Sequence, residues 1–254
     1  IEHHYYNGLA KNTESLKDKL FFALEAQRLK QYEAILSHAD RILPLSTLET
    51  TYFENKYGKG RTCYIPLFAD ITTIDTPSPV QPSVLYQGDL STPENIRAAR
   101  FLIRKVAPRD RRIPWIFAGL NPHPSLLELA EQSVNVFITP NPDSQEMNRL
   151  ISESAVSILY TNQVSGVKLK LLNALAKGNH CLATREMVAG SGLEPLCRII
   201  SHKPKEITKA IRDCIHTPIA AQDREARHEQ LLAIYDNQTN ARRIVETIDE
   251  LRKY

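Results

Sequence analysis

The feature that most constrains the fold of this 254-residue chain is a regular alternation of short apolar runs with amphipathic segments from residue 84 onward. Each apolar run has the length of a strand, and each following segment carries apolar residues at the spacing of a helix. Strands that alternate with helices form a parallel sheet with helices on both faces. The sequence therefore predicts an α/β fold built on a Rossmann-like doubly wound parallel sheet. The predicted strands cover residues 84–86, 115–118, 134–138, 156–160, 180–183 and 196–200.

A proline-rich segment, Asp75–Ser83, separates this region from the one before it. Three of its nine residues are prolines, which exclude a helix and a central strand. We therefore predict a linker over residues 76–83 and a domain boundary there.

The region before the linker offers too few strands for a second complete sheet. Residues 1–40 are predicted to form one long helix, because Leu16, Leu20 and Leu24 follow a helical spacing. Ser15, with Asp18 three residues later, has the pattern of a helix cap. Two strands are then predicted, over residues 41–45 and 62–68, with a helix between them over residues 47–57.

Composition excludes several classes of protein. The chain has 32 Lys and Arg against 29 Asp and Glu, a net charge of +3, which argues against a polybasic nucleic-acid binder. No apolar run approaches the 18 or so residues of a membrane-spanning helix. The four cysteines have no CxxC spacing, so we expect free thiols in a reducing compartment and no metal site.

The turns that follow the predicted strands are the places to look for a binding site, because ligands of open parallel sheets bind beyond the carboxyl ends of the strands. Gly88 and Gly119 each directly follow a strand. A GxGxxG fingerprint is absent, which argues against a nicotinamide or flavin site.

The most informative turn is Ser165-Gly166, which precedes a strongly apolar predicted helix. Lys168 and Lys170 lie in the predicted first turn of that helix. A cation at a helix start is unfavourable by about 0.3–1 kcal/mol, so two lysines there fit a bound anion such as phosphate. The alternative is that both side chains point to solvent.

Four segments have the same order along the chain as the motifs of a known family. Residues 166–178 read Gly-Val-Lys-Leu-Lys-Leu-Leu-Asn-Ala-Leu-Ala-Lys-Gly, residues 85–91 read Leu-Tyr-Gln-Gly-Asp-Leu-Ser, and residues 116–122 read Ile-Phe-Ala-Gly-Leu-Asn-Pro. Within residues 32–46, residues 32–33 read Tyr-Glu and residues 39–46 read Ala-Asp-Arg-Ile-Leu-Pro-Leu-Ser. Together these segments resemble the retaining GT-B glycosyltransferases of the family-4 kind, over most of residues 1–200.

The resemblance implies two Rossmann-like domains that face each other across a cleft. It assigns residues 1–75 to the closing part of an acceptor-side N-terminal domain and residues 84–235 to a C-terminal domain that binds a nucleotide sugar. Residues 236–254 would form a helix that packs back toward the N-terminal domain. The implied partners are a nucleotide sugar and a glycan or lipid-linked acceptor of cell-surface polysaccharide synthesis, with no metal, cofactor or nucleic acid.

The resemblance also implies a set of donor-binding residues. Gly88 and Gly166 would approach the diphosphate, Lys168 would contact a phosphate, and the loop 139–143 would lie near the base. It assigns no catalytic residue. The complete donor-binding set is Gly88, Asp89, Asn121, Asn141, Ser165, Gly166, Val167, Lys168, Lys170 and Asn173.

The sequence departs from the family pattern at charged positions. The family usually has two glutamates eight residues apart, where this chain has Ser165 and Asn173. The arginine–lysine pair that commonly follows the first strand is also missing, and Asp89 stands in that turn. Either Lys168 and Lys170 replace these charges, or donor binding is weak or lost.

The second departure is the short N-terminal domain. This domain begins near the point where the family's N-terminal domain ends, so we expect a fragment, or the ordered part, of a longer protein. The alternative to a missing N-terminal segment is a homodimer. His3 and His4 are expected to be surface residues rather than to border the cleft. The resemblance places the protein in the cytoplasm and leaves contact with the inner membrane face open. The bases of the first helix are balanced by acids, which favours a solvated face.

Three functions follow, in order of preference. The first is a glycosyltransferase of the hexosyltransferase type that moves a sugar from a nucleotide sugar to a polysaccharide or glycolipid. The second is a non-catalytic GT-B-like module that pairs with another subunit, which the missing glutamates favour. The third is a sugar-nucleotide epimerase, which would need positioned carboxylates or histidines that the turns do not show.

Overall fold

A computed structural model describes residues 1–13, 15–71, 80–164 and 167–252 of the chain. Its described residues contain a six-stranded sheet in the order β3-β2-β1-β4-β5-β6, with all neighbours parallel. This is the order of a doubly wound Rossmann sheet, and it confirms the predicted fold class. The strands are β1 Gln81–Gln87, β2 Trp115–Gly119, β3 Val136–Pro140, β4 Ser154–Leu159, β5 His180–Thr184 and β6 Arg198–Ile200.

Helices cover both faces of the sheet because consecutive strand residues point to opposite sides. In β1, Val84 and Tyr86 are buried in one core, while Leu85 is buried in another. No described helix is long and apolar enough to cross a bilayer. The helices are α1 Glu2–Asn12, α2 Leu16–Tyr32, α3 Thr47–Tyr57, α4 Pro93–Phe101, α5 Pro124–Glu131, α6 Ser144–Glu153, α7 Leu169–Lys177, α8 Arg185–Val188, α9 Pro204–His216, α10 Ala221–Tyr235 and α11 Asn237–Leu251.

Strand β1 begins at Gln81, inside the segment predicted as a linker. Its pairing with β4 shifts register between Gln81 and Val84, and Pro82 lies in that interval. A proline is tolerated there because an irregular ladder does not need its missing N–H. The rest of the predicted linker, residues 76–79, lies outside the described residues.

The single long helix predicted for residues 1–40 is wrong. The chain forms α1 and α2, which pack against each other, and a 3₁₀ turn over residues 33–38. Thr13 has an extended backbone, and the Ser15 hydroxyl accepts a hydrogen bond from the Asp18 amide at 3.3 Å. The predicted cap at Ser15 is therefore present, and it starts a new helix.

The two strands predicted before the linker are also wrong. Between residues 41–45 and 62–68 the structure has one isolated parallel bridge, from Ile42 to Thr62. Pro44 and Pro66 lack the N–H groups that a longer ladder would need. The helix predicted between them is present as α3, with the Ser46 hydroxyl accepting from the Glu49 amide at 3.2 Å.

A buried polar cluster holds this N-terminal region together, and we call it the Glu33 cluster. The Glu33 carboxylate forms an ion pair with Lys56, lies 3.1 Å from the His3 Nδ1, and accepts from the Tyr52 hydroxyl at 2.7 Å. The His3 side chain is only 5% exposed, so the expectation of a surface residue is wrong for His3, whereas His4 is exposed. These contacts join α1, the 3₁₀ turn and α3.

The last helix, α11, packs against the segment that precedes the linker. The Asn237 side chain donates to the Ala69 carbonyl at 3.0 Å and accepts from the Ala69 amide at 3.2 Å. Farther along α11, the Thr247 hydroxyl donates to the Cys63 sulfur at 3.6 Å. These bonds link the end of the chain to its N-terminal third.

Candidate functional site

The strand order reverses between β1 and β4, and this reversal defines the candidate site. In a doubly wound sheet the two connections leave β1 and β4 on opposite faces, which opens a crevice at the carboxyl ends of these strands. The crevice lies beside residues 86–95 and beside the described residues of the loop after β4 and the start of α7, which are 160–164 and 167–170. We call these two segments the switch-point site. Ser165 and Gly166 lie outside the described residues.

The turn after β1 requires a very close approach of two backbones. A Cβ atom placed on Gly119, at the end of β2, would lie 1.6 Å from the Gly88 carbonyl oxygen, so only glycine fits there. The Asp89 carboxylate accepts from the amide and the hydroxyl of Ser91, at 2.9 and 2.6 Å. Asp89 therefore shapes the turn and is held by it.

Asn95, in the first turn of α4, connects this turn to α7. Its amide nitrogen donates to the Asp89 carbonyl at 2.9 Å. Its amide oxygen accepts from the buried Tyr86 hydroxyl at 3.0 Å and from the Lys170 ammonium at 3.1 Å. Three elements of the switch-point site are thus fixed by one side chain.

The ammonium group of Lys170 lies in the crevice, and the groups that it contacts are neutral. Its Nζ bonds to the Asn95 amide and lies 5.3 Å from the centre of the Tyr86 ring. Burial lowers the pKa of Lys170 to about 8; the nearby Glu94 raises this pKa and Lys168 lowers it further. The alternative that Lys170 points to solvent is therefore excluded.

Lys168 lies beside it, but not where the sequence predicted. Helix α7 begins at Leu169, and Lys168 is its N-cap, with an extended backbone. The prediction that both lysines lie in the first turn is therefore wrong for Lys168, and the predicted turn at Ser165-Gly166 lies outside the described residues. The Lys168 ammonium donates to the Gln163 carbonyl at 3.5 Å, and burial lowers its pKa. Both lysines therefore face a desolvated environment near a helix N-terminus.

Sequence reasoning missed the carboxylate of this site, which is Glu94. It lies in the first turn of α4 and accepts a hydrogen bond from the Thr161 hydroxyl, which comes from the loop after β4. The Thr161 backbone is held in turn by the Thr184 hydroxyl, at 2.9 and 3.3 Å. The available signal was the position of Glu94 two residues after the Thr92 N-cap, at the carboxyl end of the first strand.

Asn121 and Asn141 lie on the same edge of the sheet, in the turns after β2 and β3. Both adopt left-handed backbone conformations, with φ of 47° and 50°, which asparagine tolerates better than most residues. The Asn141 side chain accepts from the Asn121 amide at 2.8 Å, and both residues are exposed. The structure thus brings these two predicted residues together, next to rather than inside the switch-point site.

The remaining predicted residues lie on or before α7. Val167 is partly buried next to Lys168, and Asn173 is partly buried one turn farther along the helix. No described group of three or more histidines, cysteines or carboxylates has the geometry of a metal site. The donor-binding role of the predicted set stays a prediction.

No protein-family model matches the chain, and no curated protein has a significant sequence match. Solved structures do match. A glycosyltransferase from Rickettsia africae has a TM-score of 0.68 at 16% identity, over 88% of this chain and 66% of its own. S. aureus TarM, solved with fondaparinux, alpha-GlcNAc-glycerol and UDP, has a TM-score of 0.66 at 14% identity, over 85% and 46%.

Anabaena HepE, solved with UDP and glucose, has a TM-score of 0.64 at 15% identity, over 83% of this chain and 63% of its own. The chain therefore spans about half to two thirds of the length of the proteins it matches. Over most of its length, this chain has the fold of GT-B glycosyltransferases.

Proposed function

We propose that the chain carries the donor-binding part of a glycosyltransferase, and that the diphosphate of a nucleotide sugar binds at the switch-point site. The observation that carries this proposal is the Lys170 ammonium. In the part of the chain that the structure describes, its hydrogen bond goes to a neutral amide and its ring contact to a neutral tyrosine. A partly buried cation without a hydrogen-bonded carboxylate is costly, and an anionic ligand removes that cost.

A diphosphate fits this position better than a single small anion. Lys168 and Lys170 approach the crevice from the start of α7, and the backbone of the Gly88 turn approaches it from β1. The N-terminus of α7 adds a favourable dipole for negative charge. In a transfer reaction the same groups would stabilise the charge that develops on the departing nucleoside diphosphate.

The matched proteins suggest the first donor to test. TarM and HepE were both solved with UDP, so UDP is the first candidate nucleotide. In line with the resemblance, we propose that residues 1–75 belong to the acceptor side, with a polysaccharide or glycolipid as acceptor and a cytoplasmic location. The two bonds between Asn237 and Ala69 support a C-terminal helix that returns to that side.

The test is a calorimetric titration of the chain with UDP, GDP and ADP, beside Lys168→Ala. A charge-assisted contact is worth about 1.5–3 kcal/mol, so the affinity of the preferred nucleotide should fall at least about tenfold in this variant. Lys105→Ala, which removes an exposed lysine from the turn before β2, at the opposite edge of the sheet, is the matched control and should bind normally.

The same titration separates the alternatives. Folded protein that binds no nucleotide contradicts the proposal and favours the non-catalytic module, which the neutral residues Ser165 and Asn173 already suggest. Nucleotide binding that Lys168→Ala leaves unchanged would contradict the assigned site. Product analysis with a bound nucleotide sugar then distinguishes a glycoside from an epimerised sugar.

A further inference from the structure

Two cysteines face each other at the amino-terminal edge of the sheet, opposite to the switch-point site. Cys181 is the second residue of β5, and Cys197 directly precedes β6. Leu182 of β5 is paired with Arg198 of β6, so the two cysteines hold equivalent positions on neighbouring parallel strands. Their Sγ atoms lie 3.7 Å apart and share a hydrogen bond, and both cysteines are free thiols. The pairing of the strands therefore brings the two thiols together.

This geometry suits a disulfide. Neighbouring strands lie about 4.8 Å apart, which is within the range of about 4.4–6.8 Å that the Cα atoms of bonded cysteines show. The two sulfurs have to close from 3.7 Å to the bond length of about 2.05 Å. Because the strand pairing already supplies the backbone spacing, this closure requires a movement of the two side chains only.

A solvent-open cavity of about 320 Å³ gives small molecules access to Cys181. The cavity lies between the amino-terminal ends of β5 and β6 and helix α10, and both Cys181 and Arg227 line it. Arg227 is only 7% exposed, and its two Nη atoms donate to the carbonyls of Gly178 and Asn179 at 2.5 Å. Within the described residues, its buried Nε–H has no acceptor. A guanidinium with one donor to spare thus lines the same cavity as the thiol.

The charge of Arg227 favours a thiolate in this pair. Burial lowers the pKa of Arg227, and negative charge on Cys181 or Cys197 raises it. The hydrogen bond with Cys181 and burial raise the pKa of Cys197 by more than Arg227 lowers it. Cys197 therefore keeps its proton and donates it to the Cys181 sulfur. The geometry agrees, because Cys181 is the thiol that lines the cavity.

We propose that Cys181 and Cys197 are a redox pair that forms a reversible disulfide when a hydroperoxide enters this cavity. The Cys181 thiolate attacks the terminal oxygen of the hydroperoxide, the O–O bond breaks, and Cys181 becomes a sulfenic acid. The departing alkoxide, or hydroxide from hydrogen peroxide, takes up the proton that Cys181 had released. The Cys197 sulfur then attacks the Cys181 sulfur, and the S–O bond breaks as the S–S bond forms.

The step is balanced in atoms and electrons. The hydroxide that leaves Cys181 takes the proton of Cys197 and becomes water. The two thiols together lose two electrons, which reduce the hydroperoxide to an alcohol and water, or hydrogen peroxide to two waters. A small thiol reverses the bond by exchange, so the pair returns to its reduced form.

The disulfide would close a loop that connects the N-terminal region to the sheet. The loop, residues 182–196, includes the Gly190 carbonyl, which accepts from the Thr47 amide at 3.0 Å. It also includes the Ser191 carbonyl, which accepts from the Tyr235 hydroxyl of α10 at 2.8 Å. Oxidation would therefore restrain a contact between the two parts of the chain. This inference does not depend on the proposed function, because the switch-point site lies at the other edge of the sheet.

The test exposes the folded chain to a low excess of hydrogen peroxide, then denatures it, alkylates the remaining thiols and counts them by mass spectrometry. The number of alkylated cysteines should fall from four to two, and dithiothreitol should restore it. Trypsin places Cys181 in peptide 178–185 and Cys197 in peptide 186–198, so the bond appears as a link between these peptides. Four alkylated thiols after treatment, or a link that includes Cys63 or Cys214, would overturn the proposal.

Single variants distinguish this redox pair from general oxidation of the chain. The sulfur of Cys63 lies near the Thr247 hydroxyl and that of Cys214 near the Arg198 guanidinium, so Cys63→Ala and Cys214→Ala are matched controls and should still lose two thiols. In Cys197→Ala, Cys181 should stop at the sulfenic acid, which dimedone labels. Dimedone labelling of Cys63 or Cys214 in place of Cys181 would contradict the assignment. If Cys197→Ala does not fold, as judged by circular dichroism, the linked peptides of the wild type decide.

Discussion

The Glu33 cluster and the switch-point site each bury charge, and they do so in opposite ways. Glu33 is surrounded by donors and cations: Lys56, the Tyr52 hydroxyl and His3 all contact its carboxylate. The described contacts of the Lys170 ammonium are with neutral groups, an amide oxygen and an aromatic ring. The first region compensates its charge within the protein, and in the second we propose that a ligand does so.

The pKa directions follow this difference. Burial alone would raise the pKa of Glu33, but the hydrogen bonds from Lys56 and Tyr52 hold it below its ordinary value. Burial lowers the pKa of Lys170 to about 8, and the attraction of Glu94 does not restore it. A buried charge favoured in the folded state stabilises the fold, and one that is disfavoured there is more typical of a functional site.

Breaking the Glu33 cluster should therefore have the largest effect on stability. The Glu33 carboxylate is only 9% exposed, and each charge-assisted hydrogen bond that it accepts contributes about 1.5–3 kcal/mol. We expect Glu33→Gln to lower the free energy of unfolding by about 3 kcal/mol, measured by urea denaturation. Nucleotide affinity of the folded variant should not change, because the cluster lies in the N-terminal region.

The control for this prediction is Glu25→Gln, which removes a carboxylate from α2 that pairs with the exposed Arg28. Such an exposed pair contributes about 0.3–0.5 kcal/mol, so its loss should be barely measurable. Equal destabilisation by the two variants would show that the Glu33 cluster is not the compensated network described above.

Removing the charge of Lys170 should have the opposite effects: little change in the free energy of unfolding and a large loss of nucleotide affinity. Lys170→Met keeps the aliphatic length and removes a cation that the folded protein does not compensate. The free energy of unfolding should stay constant or rise by about 1 kcal/mol, whereas nucleotide affinity should fall at least about tenfold. Denaturation and calorimetry on the same sample measure both quantities, and a large loss of stability would contradict the contrast between the two regions.

The two regions also differ in how far their structure could be predicted from the sequence. The sheet was predictable because β4 is buried at every position, and such strands read as continuous apolar runs. The N-terminal region was not, because the spacing of Leu16, Leu20 and Leu24 predicted a buried stripe. All three are exposed, at 83%, 63% and 48%. A periodic pattern shows that a helix forms, but not which face it buries or where it is interrupted.

The candidate site was predictable only in part, for a similar reason. Glycines and lysines after strands mark the correct edge, because strand ends and helix starts can be read from local patterns. The bonds of Asn95 with Tyr86 and Lys170 join residues 9 and 75 positions apart. Such contacts depend on which strands become neighbours, and the reversal between β1 and β4 is a property of the assembled sheet.

The smallest expected effect is a pH dependence of nucleotide binding. An anion favours the ammonium form, so binding should raise the pKa of Lys170 and take up a proton. Because the pKa of Lys170 without ligand is about 8, the affinity for nucleotide should be close to its maximum at pH 7 and should fall as the pH rises above 8. Because the ammonium fraction drops from about 90% at pH 7 to about 10% at pH 9, the loss reaches about tenfold.

Lys170→Arg separates this titration from the other charges that face the site, because a guanidinium stays protonated over the whole range. UDP is a better ligand here than pyrophosphate, because pyrophosphate itself loses protons in this pH range and would add its own slope. Of the neighbouring groups, Lys168 contributes a slope in the same direction, because burial also lowers its pKa. The variant should therefore bind with a flatter profile between pH 7 and 9, and an unchanged slope would assign the titration to Lys168 instead.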